Sequence, residues 1–171
     1  MDKKSFYYSK AKGYVLLAIL LVTAAGFTYT LTMAGSSLLY LVGMGVLAIS
    51  LWAVIFVYVI KNWLLRASRN EAYFEVDKDG IDLKNGYTPI KWTEIDRIGI
   101  GGGRNETTIG IKLTDAAAFL ARQPLKKNDR FLNWNNSLNG YHFLILGIKL
   151  DGKTYVVCDE LKALNAKYGI Q

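Results

Sequence analysis

The sequence predicts an α+β membrane protein: a two-helix transmembrane hairpin, then a curled antiparallel β-sheet closed by a C-terminal helix. Three observations carry this. No charged residue stands between Lys12 and Lys61, an uncharged run of 48 residues. The apolar period switches to two after Glu71, as strands require. From Asp159 it returns to helical spacing, with Leu161, Leu164 and Tyr168 on one face. The chain has 171 residues, 51% apolar and 20% charged. That composition excludes a disordered chain, which would be poor in apolar residues. The mean hydropathy of +0.16 comes from the uncharged run, and the remainder has the composition of a soluble domain. The expected organisation is a basic N-terminus over 1–12, a membrane hairpin over 13–63 and a folded domain over 70–171.

A spanning helix needs about 20 apolar residues to cross about 30 Å of hydrocarbon. The uncharged run therefore holds two, over residues 14–33 and 38–63, broken at Met33-Ala34-Gly35-Ser36-Ser37, where Gly and Ser favour a turn. Tyr29 and Tyr40 flank the tip, and Tyr14, Tyr58 and Trp63 lie toward the other face, as an interfacial belt would have them. Lys3, Lys4, Lys10 and Lys12 against Asp2 give the N-terminal flank +3, and Lys61, Arg66 and Arg69 give the C-terminal flank another +3. The remaining chain holds only +1 of the total +7, so the basic balance marks topology and not a nucleic-acid-binding face. With both flanks basic and the tip uncharged, both termini are expected in the cytoplasm, in a multi-pass inner-membrane protein. A cleaved signal peptide is the alternative for the first helix, with Thr23-Ala24-Ala25 as its processing site. Against it, the apolar run continues past that point. Between Lys12 and Lys61 the spans lack the Asp, Glu, Lys, Arg and His that pumps and channels use. The hydroxyls of Thr23, Thr28, Thr30 and Thr32 are expected to bond back to their own helix. An anchor is the expected role.

In the soluble part, 72–76 reads as a strand and Asp77-Lys78-Asp79-Gly80 as a turn, with Asp79-Gly80 a strong hairpin signal. Residues 81–84 return as a strand and Asn85-Gly86 turns again. Pro89 opens a short strand, 90–92, because it cannot donate within a ladder. Residues 95–100 and 107–113 alternate around the glycine-rich turn 101–105. A short helix over 115–123 is capped by Thr114 or Asp115. A long polar loop is expected over 124–140, the longest strand over 141–150, a turn at Asp151-Gly152, a strand over 154–158 and the terminal helix over 159–168.

A meander of six or seven strands followed by one helix suits a sheet that curls nearly shut. The run Asp79-Gly80-Ile81, then Ile90-Lys91-Trp92-Thr93-Glu94-Ile95-Asp96-Arg97-Ile98, resembles the D-G-I … I-x-W-x-E-I-x-x-I core of bacterial pleckstrin-homology-like (PH-like) domains. Thr114-Asp115-Ala116-Ala117-Ala118-Phe119-Leu120 and the Asp159-Glu160-Leu161 helix resemble a subgroup of inner-membrane proteins with two N-terminal spans before such a domain. The resemblance implies a PH-like sheet or barrel and a bacterial inner-membrane setting. It speaks for fold far more than for function.

Each chemical motif has a plainer reading. Ile98-Gly99-Ile100-Gly101-Gly102-Gly103-Arg104 lacks the Lys and the following helix of a phosphate loop, so its glycines are expected to supply positive φ in a hairpin or bulge. Glu71, Glu75, Asp77, Asp79 and Asp82 lack the later ligands of a calcium loop and read as a solvated face. Trp92 reads as core, His142 as a partly exposed strand residue, and Cys158 as a small buried hydrophobe. A lone cysteine forms no internal disulfide, and one His with one Cys makes no metal set. No catalytic residue, cofactor or metal is expected. One segment points to contact with a partner: Arg122, Lys126, Lys127 and Arg130 interleaved with Phe131, Leu132 and Trp134. Anionic headgroups or an acidic protein would suit it. The competing reading has Phe131 and Trp134 plugging the end of the barrel. The expected function is a membrane-anchored, non-enzymatic interaction or regulatory module, with a membrane immunity protein against a co-encoded toxin as the alternative. The expected partners are the bilayer and a lipid or protein ligand; nucleic acid is not expected and self-association stays open.

Overall fold

The computed structural model describes residues 3–33, 38–101, 108–123 and 129–169. It divides into two compact units. One is helical, Tyr8–Glu71; the other joins Met1–Tyr7 to Ala72–Gln171. The sheet-bearing unit is thus discontinuous in sequence, which the expected 70–171 boundary does not anticipate.

The helical unit begins with α1 (Lys10–Met33). Its second arm is α2 (Leu38–Val54), a π-helical stretch Ile55–Leu64, and α3 (Leu65–Ser68). The second helix thus ends five residues beyond the expected position 63. Two stretches are long and apolar enough to cross a membrane, Lys10–Thr30 and Gly45–Ser68. Over the most apolar 18 residues of each, only 11% and 17% are buried, whereas the core helix of a soluble fold is mostly buried. The hydroxyls of Thr23, Thr28 and Thr30 donate to the carbonyls of Ile19, Ala24 and Phe27 at 2.8–2.9 Å, so these polar groups are satisfied within α1, as expected. Trp63 departs from the interfacial belt assigned to it. It is fully buried, and its Nε1–H donates to the Ser9 carbonyl at 3.0 Å. Gly13 makes room for it: a Cβ there would lie 2.6 Å from Leu64 Cδ2 and 3.2 Å from Trp63 Nε1.

The other unit holds two antiparallel sheets. The first has the order β1 (Lys4–Tyr7), β2 (Ala72–Val76), β3 (Gly80–Asp82), β4 (Ile90–Lys91). The second has β5 (Ile95–Gly101), β6 (Thr108–Leu113) and β7 (Phe143–Leu146). β4 and β5 do not pair. A 3₁₀ turn, Trp92–Glu94, carries the chain from one sheet to the other, so the strands do not close into the expected barrel. Both sheets feed one core. Phe74, Ile81, Ile90 and Trp92 come from the first side, and Ile98, Ile109, Ile111, Phe143 and Ile145 from the second. Trp92 is a core residue, as expected, and donates Nε1–H to the Asp77 carbonyl at 2.9 Å.

The structure redraws three elements. Residues 124–140 are not all loop: α5 (Asp129–Asn139) lies within them. The strand expected over 141–150 is confined to β7, because a 3₁₀ turn at Gly147–Lys149 ends it. Residues 154–158 open α6 (Thr154–Tyr168) and form no strand. Val157, Cys158 and Leu161 are its buried residues, a helical spacing and not an alternation. The expected helix after Thr114 is α4 (Ala116–Ala121), capped by Asp115, whose carboxylate accepts from the N–H groups of Ala117 and Ala118 at 2.9 Å.

The glycines of β5 and β6 act otherwise than expected. Gly99 and Gly101 are not among the positive-φ residues. Gly99 and Gly110 are cross-strand partners, and Tyr141 lies over them: a Cβ on Gly110 would lie 2.3 Å from the ring and one on Gly99 2.3 Å from its hydroxyl oxygen. These glycines give up a side chain to let an aromatic ring lie directly on the backbone.

Candidate functional site

The basic-aromatic segment divides between two helices and a stretch outside the described residues. Arg122, the C-cap of α4, is committed to the fold. Its Nε donates to Glu94 Oε1 at 2.8 Å, Nη1 to Thr88 Oγ1 at 2.6 Å and Nη2 to the Pro89 carbonyl at 2.7 Å. Nη2 also pairs with Glu94 Oε2, and the guanidinium sits 4.8 Å from the Phe119 ring centre. A planar fork is suited to this multiple engagement. Gln123 adds bonds to Thr88, so α4 is clamped to the segment leading into β4. Lys126 and Lys127 lie outside the described residues.

Arg130, Phe131 and Trp134 stand on α5. Among the described side chains of this helix, Leu132 enters the core, fully buried in the cluster that also holds Phe119. Asn135, also buried, donates Nδ2–H to the His142 carbonyl at 3.3 Å. Arg130, Trp134 and Leu138 follow one another at four-residue intervals, and all three are exposed. Trp134 is 59% and Leu138 60% exposed, so Trp134 is not a plug. Gly140, at φ +71°, ends α5, and its N–H returns to the Asn136 carbonyl at 2.8 Å.

His142 is buried, against the partly exposed position expected of it. Its N–H bonds to the Ile111 carbonyl, and its ring Nδ1 accepts the Leu113 N–H at 3.0 Å. The side chain thus continues the β6–β7 ladder where the backbone leaves it. Burial, and then the charge of Lys112, push its pKa below the usual 6.5. Cys158 is fully buried, as expected, and burial raises its thiol pKa. Glu75 lies between Lys3, at 2.9 Å, and Lys84; their hydrogen bonds hold its carboxyl at about 2 despite partial burial. Among the described residues no group of three or more His, Cys, Asp or Glu could hold a metal ion. A shallow cleft between the sheets is lined by Tyr73, Leu83, Asn85 and Leu144 and carries no charged side chain. Sequence reasoning missed the Tyr141 platform, on which Arg97 lies 5.2 Å from the ring centre. The pairing of Gly99 with Gly110 was its signal.

The described residues offer an exposed Arg–Trp–Leu stripe and a set of internally paired charges. Comparison of the chain with family models, with curated proteins and with solved structures finds no match.

Proposed function

We infer that the chain is a membrane-anchored, non-enzymatic interaction or regulatory module, with a PH-like domain on the cytoplasmic side of a bacterial inner membrane. The pairing of β1 with β2 carries this reading. These strands flank the apolar helices in sequence yet are neighbours in one sheet, with Lys4 opposite Val76 and Phe6 opposite Phe74. Only residues 8–9 and 69–71 separate the strands from the helical segments. A helical insertion whose ends both enter one sheet must go out and come back, which suits two spans. Cleavage at Thr23-Ala24-Ala25, within α1, would strip β1 from the edge of β2, which disfavours a signal peptide.

The state of the ionisable groups supports a binding role. Glu75, Glu94, Asp96 and Glu160 are each paired with a Lys or Arg, and the single His and Cys are buried. Reporter fusions at Ser36 and Gln171 in a bacterial host test the topology. An external signal at Ser36 and an internal one at Gln171 are expected; an external signal at Gln171 overturns the reading.

A further inference from the structure

We propose that β1 is a built-in check on the helical hairpin: it completes the sheet-bearing unit only in a chain whose two arms are both inserted and return to one side of the membrane. This rests on the reading that the apolar helices anchor the chain. β1 and its partner β2 stand on opposite sides of the helices in sequence. A hairpin brings both strands to one side. A chain with a single arm inserted holds them on opposite sides of the bilayer, where they cannot pair, whichever end stays inside. The hairpin is also fastened at the end from which the strands leave. Trp63 donates Nε1–H to the Ser9 carbonyl at 3.0 Å, Arg66 donates to the Tyr8 hydroxyl at 3.3 Å, and Gly13 leaves room for Trp63. Tyr8 and Ser9 directly follow β1, and Arg66 stands shortly before β2. With the arms joined there, the loop that β1 must close to reach β2 shrinks from the whole hairpin to the few residues outside the fastening.

The sheet-bearing unit depends on β1 on two sides. Toward the first sheet, Phe6 stacks on Phe74 inside the core, and Lys3 and Ser5 reach Glu75 at 2.9 and 3.3 Å. On the other side, the Tyr7 carbonyl accepts the Asp151 N–H just ahead of α6, and Lys4 pairs with Glu160 on that helix. β1 therefore ties the first sheet to the C-terminal helix. Without it, the β2 edge, the Phe74 ring, the Asp151 N–H and Glu160 all lose a partner together. An unpaired edge beside an uncovered aromatic is a site for aggregation and for proteolytic attack. A failed insertion is thus marked in the domain itself. A domain that took its edge strand from the same side of the helices would fold alike whether the arms had inserted or not.

The test uses the full chain in a bacterial host with Ser5→Cys and Glu75→Cys, cross-strand partners within disulfide reach. Cys158 is buried, and each single cysteine variant serves as the blank. The internal disulfide formed on oxidation reads the pairing of β1 with β2, counted only in chains that resist carbonate extraction from the membrane. With the hairpin intact, the disulfide should form in most chains. Deleting residues 38–60 leaves one span and should abolish it. Filling the deletion with an unrelated leucine–alanine span of the same length should restore it, because the return of the chain is read and not the sequence of the second arm. Turnover in pulse-chase labelling, followed without the added cysteines, should quicken with the deletion and recover with the foreign span. A disulfide that survives the deletion in membrane-held chains overturns the check and leaves the anchor standing. So does one that the foreign span fails to restore while a Gln171 reporter shows an internal C-terminus, and so does equal turnover of all three chains. Release of the intact chain by carbonate overturns the anchor, and the check with it.

Discussion

Gly80 shows how much a single position can decide. Its sequence context, Asp79-Gly80, suggests a glycine chosen for positive φ, yet Gly80 is not among the positive-φ residues. The turn is made by Asp77, whose carboxylate accepts from the N–H groups of Asp79 and Gly80 at 2.8 and 3.1 Å. Glycine is needed because β4 passes too close: a Cβ would lie 2.0 Å from the Ile90 carbonyl oxygen. The obstacle is backbone, which cannot swing aside, so Gly80→Ala should cost at least the 1–3 kcal/mol usual for overpacking, read from denaturant melting. Two buried or paired groups set the acid response. His142 has a lowered pKa, so the native state binds its proton less readily than the unfolded chain does, and stability falls as pH drops below about 6.5. Glu75 contributes fully above its unfolded value near 4.5 and loses its contribution as pH falls through about 2. Glu75→Gln should therefore lower stability by about 1 kcal/mol at pH 7, with the difference from wild type closing between pH 4.5 and 2.

At the scale of elements, α4 and α5 are neighbours in sequence with different tasks. α4 is held by its cap and by the Arg122 clamp. Arg122→Ala would strip Glu94 and Thr88 of their partner and should destabilise the fold by about 2 kcal/mol. Arg122→Lys should recover little, because an ammonium cannot reproduce the fork. α5 is hard to see in sequence for a physical reason. Four asparagines lower its helix propensity, and its four apolar residues, Phe131, Leu132, Trp134 and Leu138, are outnumbered by polar ones. The Gly140 stop was its visible mark. The first turn of α6 misled in the opposite way: Thr154-Tyr155-Val156-Val157 is rich in strand formers, but Val157 and Cys158 dock into the core and tertiary burial overrides propensity.

At the scale of the whole molecule, the sheet-bearing unit is interrupted by the helices, and β1 is an integral edge of it. Phe6 stacks on Phe74 at 4.5 Å between ring centres, and the Tyr7 carbonyl accepts the Asp151 N–H at 3.0 Å. A fragment of residues 70–171 would leave β2 unpaired on that side and Phe74 uncovered. Losing Phe6 alone should cost about 3 kcal/mol. Because Tyr7 and Ala72 are cross-strand partners, a two-residue Asn-Gly turn joining residues 3–7 to 72–169 should restore the hairpin. The joined fragment should melt cooperatively and well above 70–171. Equal melting of the two would show that β1 adds nothing.

The sequence by itself determined the features that depend on local pattern. An uncharged run long enough for two spans, the charges at its ends, the strands 72–76, 95–100 and 108–113, the Asp115-capped helix and the burial of Trp92 all follow from periodicity, capping and hydrophobicity read over a few residues. Tertiary structure decided what depends on contacts distant in sequence. It placed β1 beside β2 across some sixty-five residues, separated the sheets at the Trp92–Glu94 turn, and drew Arg122 away from the basic cluster to Glu94. It also gave Gly99 and Gly110 a ring to carry. A charge, a glycine or a short strand looks the same in sequence whatever it meets, and only the folded chain brings it to its partner.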